Sequence, residues 1–226
     1  MFCLHFLKGL MNFHVKKFGL VAYLKRDKGV IMPIPNTAKG ISSQITRIRA
    51  HLSACKREYG FIDDGAGDRY YLFNLYYLLD DNRRSSEYIR WFQKQLPDDS
   101  GEPSALLCWA LMLHRMGKKG EHILGRTMLS NIYLIPHLLG ERIERVEMWH
   151  SSNWEEPAYM VEIPERVLDA LTDEDKTWIR EAYHSEPFQN VLKRHIEINK
   201  ALESLQRGEE RSALIRELYS LKDSIE

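Results

Sequence analysis

Nine histidines and three cysteines are the side chains best suited to hold a metal or to act as nucleophiles in this 226-residue chain. No two histidines stand three or four apart, so no helix face offers a local pair of ligands. Cys3, Cys55 and Cys108 are far apart and form no C-x-x-C pair, which argues against a zinc site and a disulfide framework alike. Asp63-Asp64-Gly65-Ala66-Gly67-Asp68 has the acids of a calcium loop but neither their spacing nor the closing Glu, and is read as a turn. No phosphate-cradling glycine loop, G-x-S-x-G or H-E-x-x-H motif is present. The sequence therefore points to no catalytic residue, no metal and no cofactor.

Positive charge is the chemistry that remains. Residues 1–60 hold eleven of the 32 Lys and Arg but only two of the 32 Asp and Glu, in a chain of zero net charge. Arg47, Arg49, His51, Lys56 and Arg57 lie off the apolar stripe of one helix and form a candidate basic patch able to neutralise phosphates. A solvated face, or one docked on the acidic remainder of the chain, is the plainer expectation.

The helix that carries this patch is read from Ile41, Ile45, Ile48, Leu52, Cys55 and Tyr59, a stripe at alternating spacings of four and three. It is expected over residues 42–59, with Ser42 or Ser43 as cap and Gly60 as stop. Before it, residues 1–40 form a basic segment with Pro33 and Pro35 as breakers, where Phe18–Leu24 and Val30–Met32 read equally as short strands or as a frayed helix. Its start lacks the charge order of a secretory signal, and Met11 is an alternative start. After Asp68 the whole pattern is helical, and Thr172-Asp173-Glu174-Asp175 has the form of a capping box. The expected fold is all-α: residues 41–150 as helical repeats and 151–226 as a helical extension packed on them. No apolar run approaches the roughly 20 residues of a membrane span. Few and scattered cysteines suit a reducing cytoplasm.

Two segments superpose at an offset of 37 residues: Leu72 on Trp109, Phe73 on Ala110, Tyr76 on Leu113, Asp80 on Gly117, Phe92 on Leu129. In the second, Leu106, Trp109-Ala110, Leu113 and a turn Gly117 resemble a tetratricopeptide repeat. The ending Asn131-x-x-x-x-Pro136-x-Leu138-Leu139-Gly140, followed by Trp178 and Pro187–Leu192, is similar to that of bacterial proteins with such repeats. The resemblance covers roughly residues 66–195. It departs from the pattern at His122, where a small residue is usual, and at Phe73 and Asp80 in the first unit. It implies a short solenoid whose concave groove is lined by Tyr70, Asn74, Tyr77, His114 and Arg115, and a non-enzymatic scaffold that binds a protein or peptide there. Nucleic-acid association through the basic helix is the alternative, and a second copy of the chain could cap an open solenoid end.

Overall fold

Helix α1 begins four residues before the serines expected to cap it. It spans Ala38–Tyr59, and the Thr37 side chain caps it by accepting from the Gly40 amide at 3.1 Å. Ser43 sits inside the first turns, its hydroxyl donating to the Lys39 carbonyl, while the Ser42 hydroxyl accepts from Arg84. Gly60, at φ 81°, stops the helix as expected. This computed structural model describes residues 33–225 except 63 and 143, and everything below lies within the compact unit that starts at Ile34. The strands suggested at Phe18–Leu24 and Val30–Met32 fall outside the described residues.

The described chain is all-helical, with no strand among those residues. After α1 come α2 (Asp68–Leu79), α3 (Asn82–Gln95), α4 (Pro103–Arg115), α5 (Glu121–Ser130) and α6 (Leu134–Leu139). Two 3-10 turns at Asn153–Glu155 and Pro157–Glu162 lead to α7 (Glu165–Asp169), α8 (Asp173–Tyr183), α9 (Glu186–Ser204) and α10 (Glu209–Leu221). No described helix is long and apolar enough to cross a membrane. Caps explain several starts. Asp81 opens α3 by accepting from the Arg84 amide at 3.0 Å. Glu102 opens α4 by accepting from the Ala105 amide, with Pro103 in the first turn. The Asp64 carboxylate accepts from the Asp68 and Arg69 amides at 2.7 and 2.8 Å, so the acidic loop serves the start of α2.

The capping box at Thr172 forms as read: its hydroxyl accepts from Asp175 N at 3.1 Å, and Asp175 accepts from Thr172 N at 2.9 Å. Thr172→Ala should cost about 1 kcal/mol of stability, the usual value of such a cap, measured by urea unfolding. A loss near zero would mean the Asp175 half of the box suffices.

The core is aromatic. Phe73 lies 4.9 Å from Tyr88, 5.0 Å from Phe92 and 5.4 Å from Trp109, ring centre to ring centre. Helix α2 carries seven of these interior residues in the run Tyr70–Tyr77 and packs against α1, α3, α4 and α7. That run is core, with Tyr71 its least buried member. The turn after α2 and the turn after α4 match as the offset of 37 requires: Asp80 (φ 53°) and Gly117 (φ 64°) both take the left-handed conformation. Gly120 permits close helix approach, since a β-carbon there would stand 2.9 Å from the Ala110 carbonyl oxygen.

Candidate functional site

The five residues expected to line a groove pack on the chain's own residues rather than around open space: Tyr70, Tyr77 and Arg115 meet residues 154–175, Asn74 bonds to α4, and His114 meets α8. Tyr70, Asn74 and Tyr77 are buried. The Tyr70 hydroxyl donates to Asp99 at 2.7 Å, and Trp154 meets its ring edge-on at 5.7 Å. Asn74 Oδ1 accepts from the Ser104 hydroxyl at 3.0 Å and from the Cys108 thiol at 3.2 Å. Tyr77 donates to the Ala170 carbonyl at 3.0 Å. Arg115 donates to the same carbonyl at 2.8 Å and pairs with Asp175 at 2.6 Å. His114 stacks on Trp178 at 4.3 Å, and Trp178 donates to Glu121. Asn131 adds two donations to backbone, to the Trp154 and Glu156 carbonyls at 2.6 and 3.1 Å. The physical reason is simple: polar groups on the inner helices need partners once buried, and the irregular segment supplies them as carbonyls.

Cys108 is fully enclosed, and burial pushes its thiol well up, so it is not held as a thiolate. Among the described residues no group of three His, Cys, Asp or Glu side chains could hold a metal ion.

The basic patch divides. Arg49 and Lys56 face α3, and Arg57 stands exposed beside Lys56. Arg47 precedes Arg49 by two residues, which is about 160° around a helix, so it points to the opposite flank. His51 also lies off the α3 side, its Nε2 3.6 Å from Cys55 Sγ. Helices α1 and α3 run side by side in the same direction, as three contacts fix. Arg84 Nη1 donates to Ser42 Oγ at 2.9 Å near the start of both helices. The Arg49 guanidinium lies over the Tyr88 and Trp91 rings at 5.4 and 4.3 Å. Lys56 donates to Gln95 near the end of both.

This pairing brings in residues the sequence reading left aside. Arg83, Glu87, Arg90 and Lys94 fall at spacings of four, three and four and form the exposed stripe of α3. Helices α1 and α3 together carry nine Lys and Arg against two Glu, Glu58 and Glu87. Lys118, from the α4–α5 turn, reaches Ser86 at 3.4 Å and extends the same rim. A notch opens in the ridge, lined by Leu52, Ser53, Lys56, Arg57, Ile62 and Trp91. The spacing of the α3 stripe was visible in the sequence; its adjacency to α1 was not.

Comparison of the chain with protein-family models, with curated proteins and with solved structures returns no match.

Proposed function

We propose that the protein is a non-enzymatic binding module that docks a nucleic acid by its phosphate backbone on the α1–α3 ridge. The observation that carries this reading is the concentration of nine cationic side chains on two parallel neighbouring helices of a chain whose net charge is zero. Lys39, Lys56, Arg57, Arg90 and Lys94 on these helices are exposed, so their charge is presented outward; Arg83 is exposed too, paired with Glu87 at 3.2 Å. A polyanion released from its counterions is the ligand that such a surface favours.

A tetratricopeptide-like scaffold with a peptide groove is the second reading. The matching turns at Asp80 and Gly117 favour it, and so do the donations that Asn131 and Arg115 make to main-chain carbonyls. A partner in that groove has to displace residues 153–175 first, which makes the outer ridge the better supported surface.

The test is fluorescence anisotropy of a labelled oligonucleotide with the full chain over a salt series. Binding is expected to weaken linearly in log–log form, and each cation removed should lower the slope by about one. Arg57→Glu/Arg90→Glu/Lys94→Glu, with unchanged thermal stability, should abolish binding at roughly 0.1 M salt. A wild-type chain that binds no oligonucleotide even at low salt ends this reading.

A further inference from the structure

Resting on that reading, we infer that the ridge selects single-stranded over duplex nucleic acid, with one unpaired base seated in the Trp91 notch and a neighbouring base against Phe61. The ridge is charged along its length, but its end near the α1 C-terminus is different in kind. There the chain runs Lys56-Arg57-Glu58-Tyr59-Gly60-Phe61-Ile62. Phe61 is 62% exposed and Tyr59 54%, two of the five exposed large hydrophobic residues in the described chain. Their ring centres are 6.4 Å apart.

The notch beside them measures about 390 Å³, within the roughly 300–1,000 Å³ of small-ligand clefts. Its floor is apolar, from Leu52, Ile62 and Trp91, and its rim is cationic, from Lys56 and Arg57. Trp91 lines it while also meeting the Tyr88 ring at 5.6 Å and the Arg49 guanidinium at 4.3 Å. Trp91 already ends a column of rings, Tyr76 on Tyr88 at 4.6 Å and Tyr88 on Trp91 at 5.6 Å. A flat ring entering the notch meets Trp91 among its lining residues, with Lys56 and Arg57 at hand for the adjoining phosphates. A duplex keeps its base faces in its own stack and offers none to Trp91 or Phe61, whereas a single strand offers every one. An acidic protein satisfies the cations but gives no planar base for the notch.

The experiment measures affinity of the full chain for a labelled single strand, for the duplex of the same sequence, and for polyglutamate of equal charge as competitor. The single strand is expected to bind about a hundred-fold more tightly than the duplex, the effect of roughly two stacked bases at about ten-fold each. Phe61→Ala should weaken single-strand binding about ten-fold and leave the duplex affinity and both salt slopes unchanged. Quenching of tryptophan emission by the single strand should be lost in Trp91→Phe. Equal affinity for both forms, insensitivity to Phe61→Ala, or competition by polyglutamate as effective as by oligonucleotide overturns the inference while leaving a charged ridge. Absence of binding to any nucleic acid at low salt overturns the ridge reading itself.

Discussion

Arg115→Ala is expected to destabilise the fold by about 3 kcal/mol and to loosen the Ala170–Asp175 segment that Arg115 holds. Arg115 ends α4, and its guanidinium is a junction. It pairs with Asp175 through Nη2 at 2.6 Å and donates to the Tyr77 hydroxyl at 2.9 Å and to the Ala170 carbonyl at 2.8 Å. It also lies 4.5 Å from the centre of the Tyr77 ring. Asp175 is 1% exposed, so removing the guanidinium leaves a carboxylate enclosed without its counter-charge. Breaking a buried pair in this way costs about 3–5 kcal/mol; the partial exposure of Arg115 places this case at the lower end. Urea unfolding at pH 7 measures it. Arg115→Lys should recover only part of the loss, because one ammonium cannot reach all three acceptors.

The pH dependence gives a second handle on the same clasp. Burial alone would raise the Asp175 carboxyl, but its bonds to Arg115 and to the Thr172 amide hold it below its ordinary value. A carboxyl depressed in the folded state contributes stability that is present above its unfolded pKa of about 3.9 and is lost as pH falls through the folded value. In Arg115→Ala burial acts on the carboxyl unopposed by the guanidinium and raises it, so the difference between wild type and variant should be largest near pH 7, shrink as pH falls through that raised value, and go on shrinking through the depressed wild-type one. A difference under about 1 kcal/mol at pH 7 would show that the clasp does not hold the segment.

How much of this was legible in the chain depends on whether the information was local. The apolar stripe of α1 was, because Ile41, Ile45, Ile48, Leu52 and Cys55 all bury. Its start was misplaced because serine hydroxyls can also be satisfied within a helix, as Ser43 is on Lys39. Asp80, counted as a departure from the repeat, nevertheless takes the left-handed backbone of Gly117, a conformation in which an aspartate is tolerated. The exposure of Tyr70, Asn74 and Tyr77 was not legible. It depended on whether residues 153–175 fold back, and the helical signals there, such as the Thr172 capping box, fix local structure but not what the segment packs against. Tyr159 in that stretch is buried and accepts from the Ser104 amide. The ridge was half legible: α1 showed its own cations, but the contribution of α3 required knowing that the two helices lie side by side.

Glu102→Gln should stabilise the protein by about 2 kcal/mol at pH 8 and have little effect at pH 4.5. Glu102 caps α4, accepting from the Ala105 amide at 2.9 Å. Burial pushes its carboxyl from an ordinary 4.5 up to about 7, while the amide bonds from Ala105 and Ser104 pull the other way and only partly offset it. A carboxyl raised in the folded state binds its proton more tightly there than in the unfolded chain. Its contribution is thus most favourable below the unfolded value, is lost as pH rises through the window from about 4.5 to 7, and stays lost above it. The full shift corresponds to roughly 3 kcal/mol, reduced here because the residue is not wholly sealed from solvent. Glutamine stays neutral across the window, and its side-chain oxygen can still accept from Ala105, so the cap survives while the charge does not. Glu102→Ala separates the two effects: it should lose about 1 kcal/mol of capping at pH 4.5 and regain ground as pH rises. Urea midpoints for wild type and Glu102→Gln from pH 4.5 to 8 decide the matter. Curves that converge at the acid end and separate above pH 6 support a buried carboxylate at the α4 cap, and parallel curves exclude it.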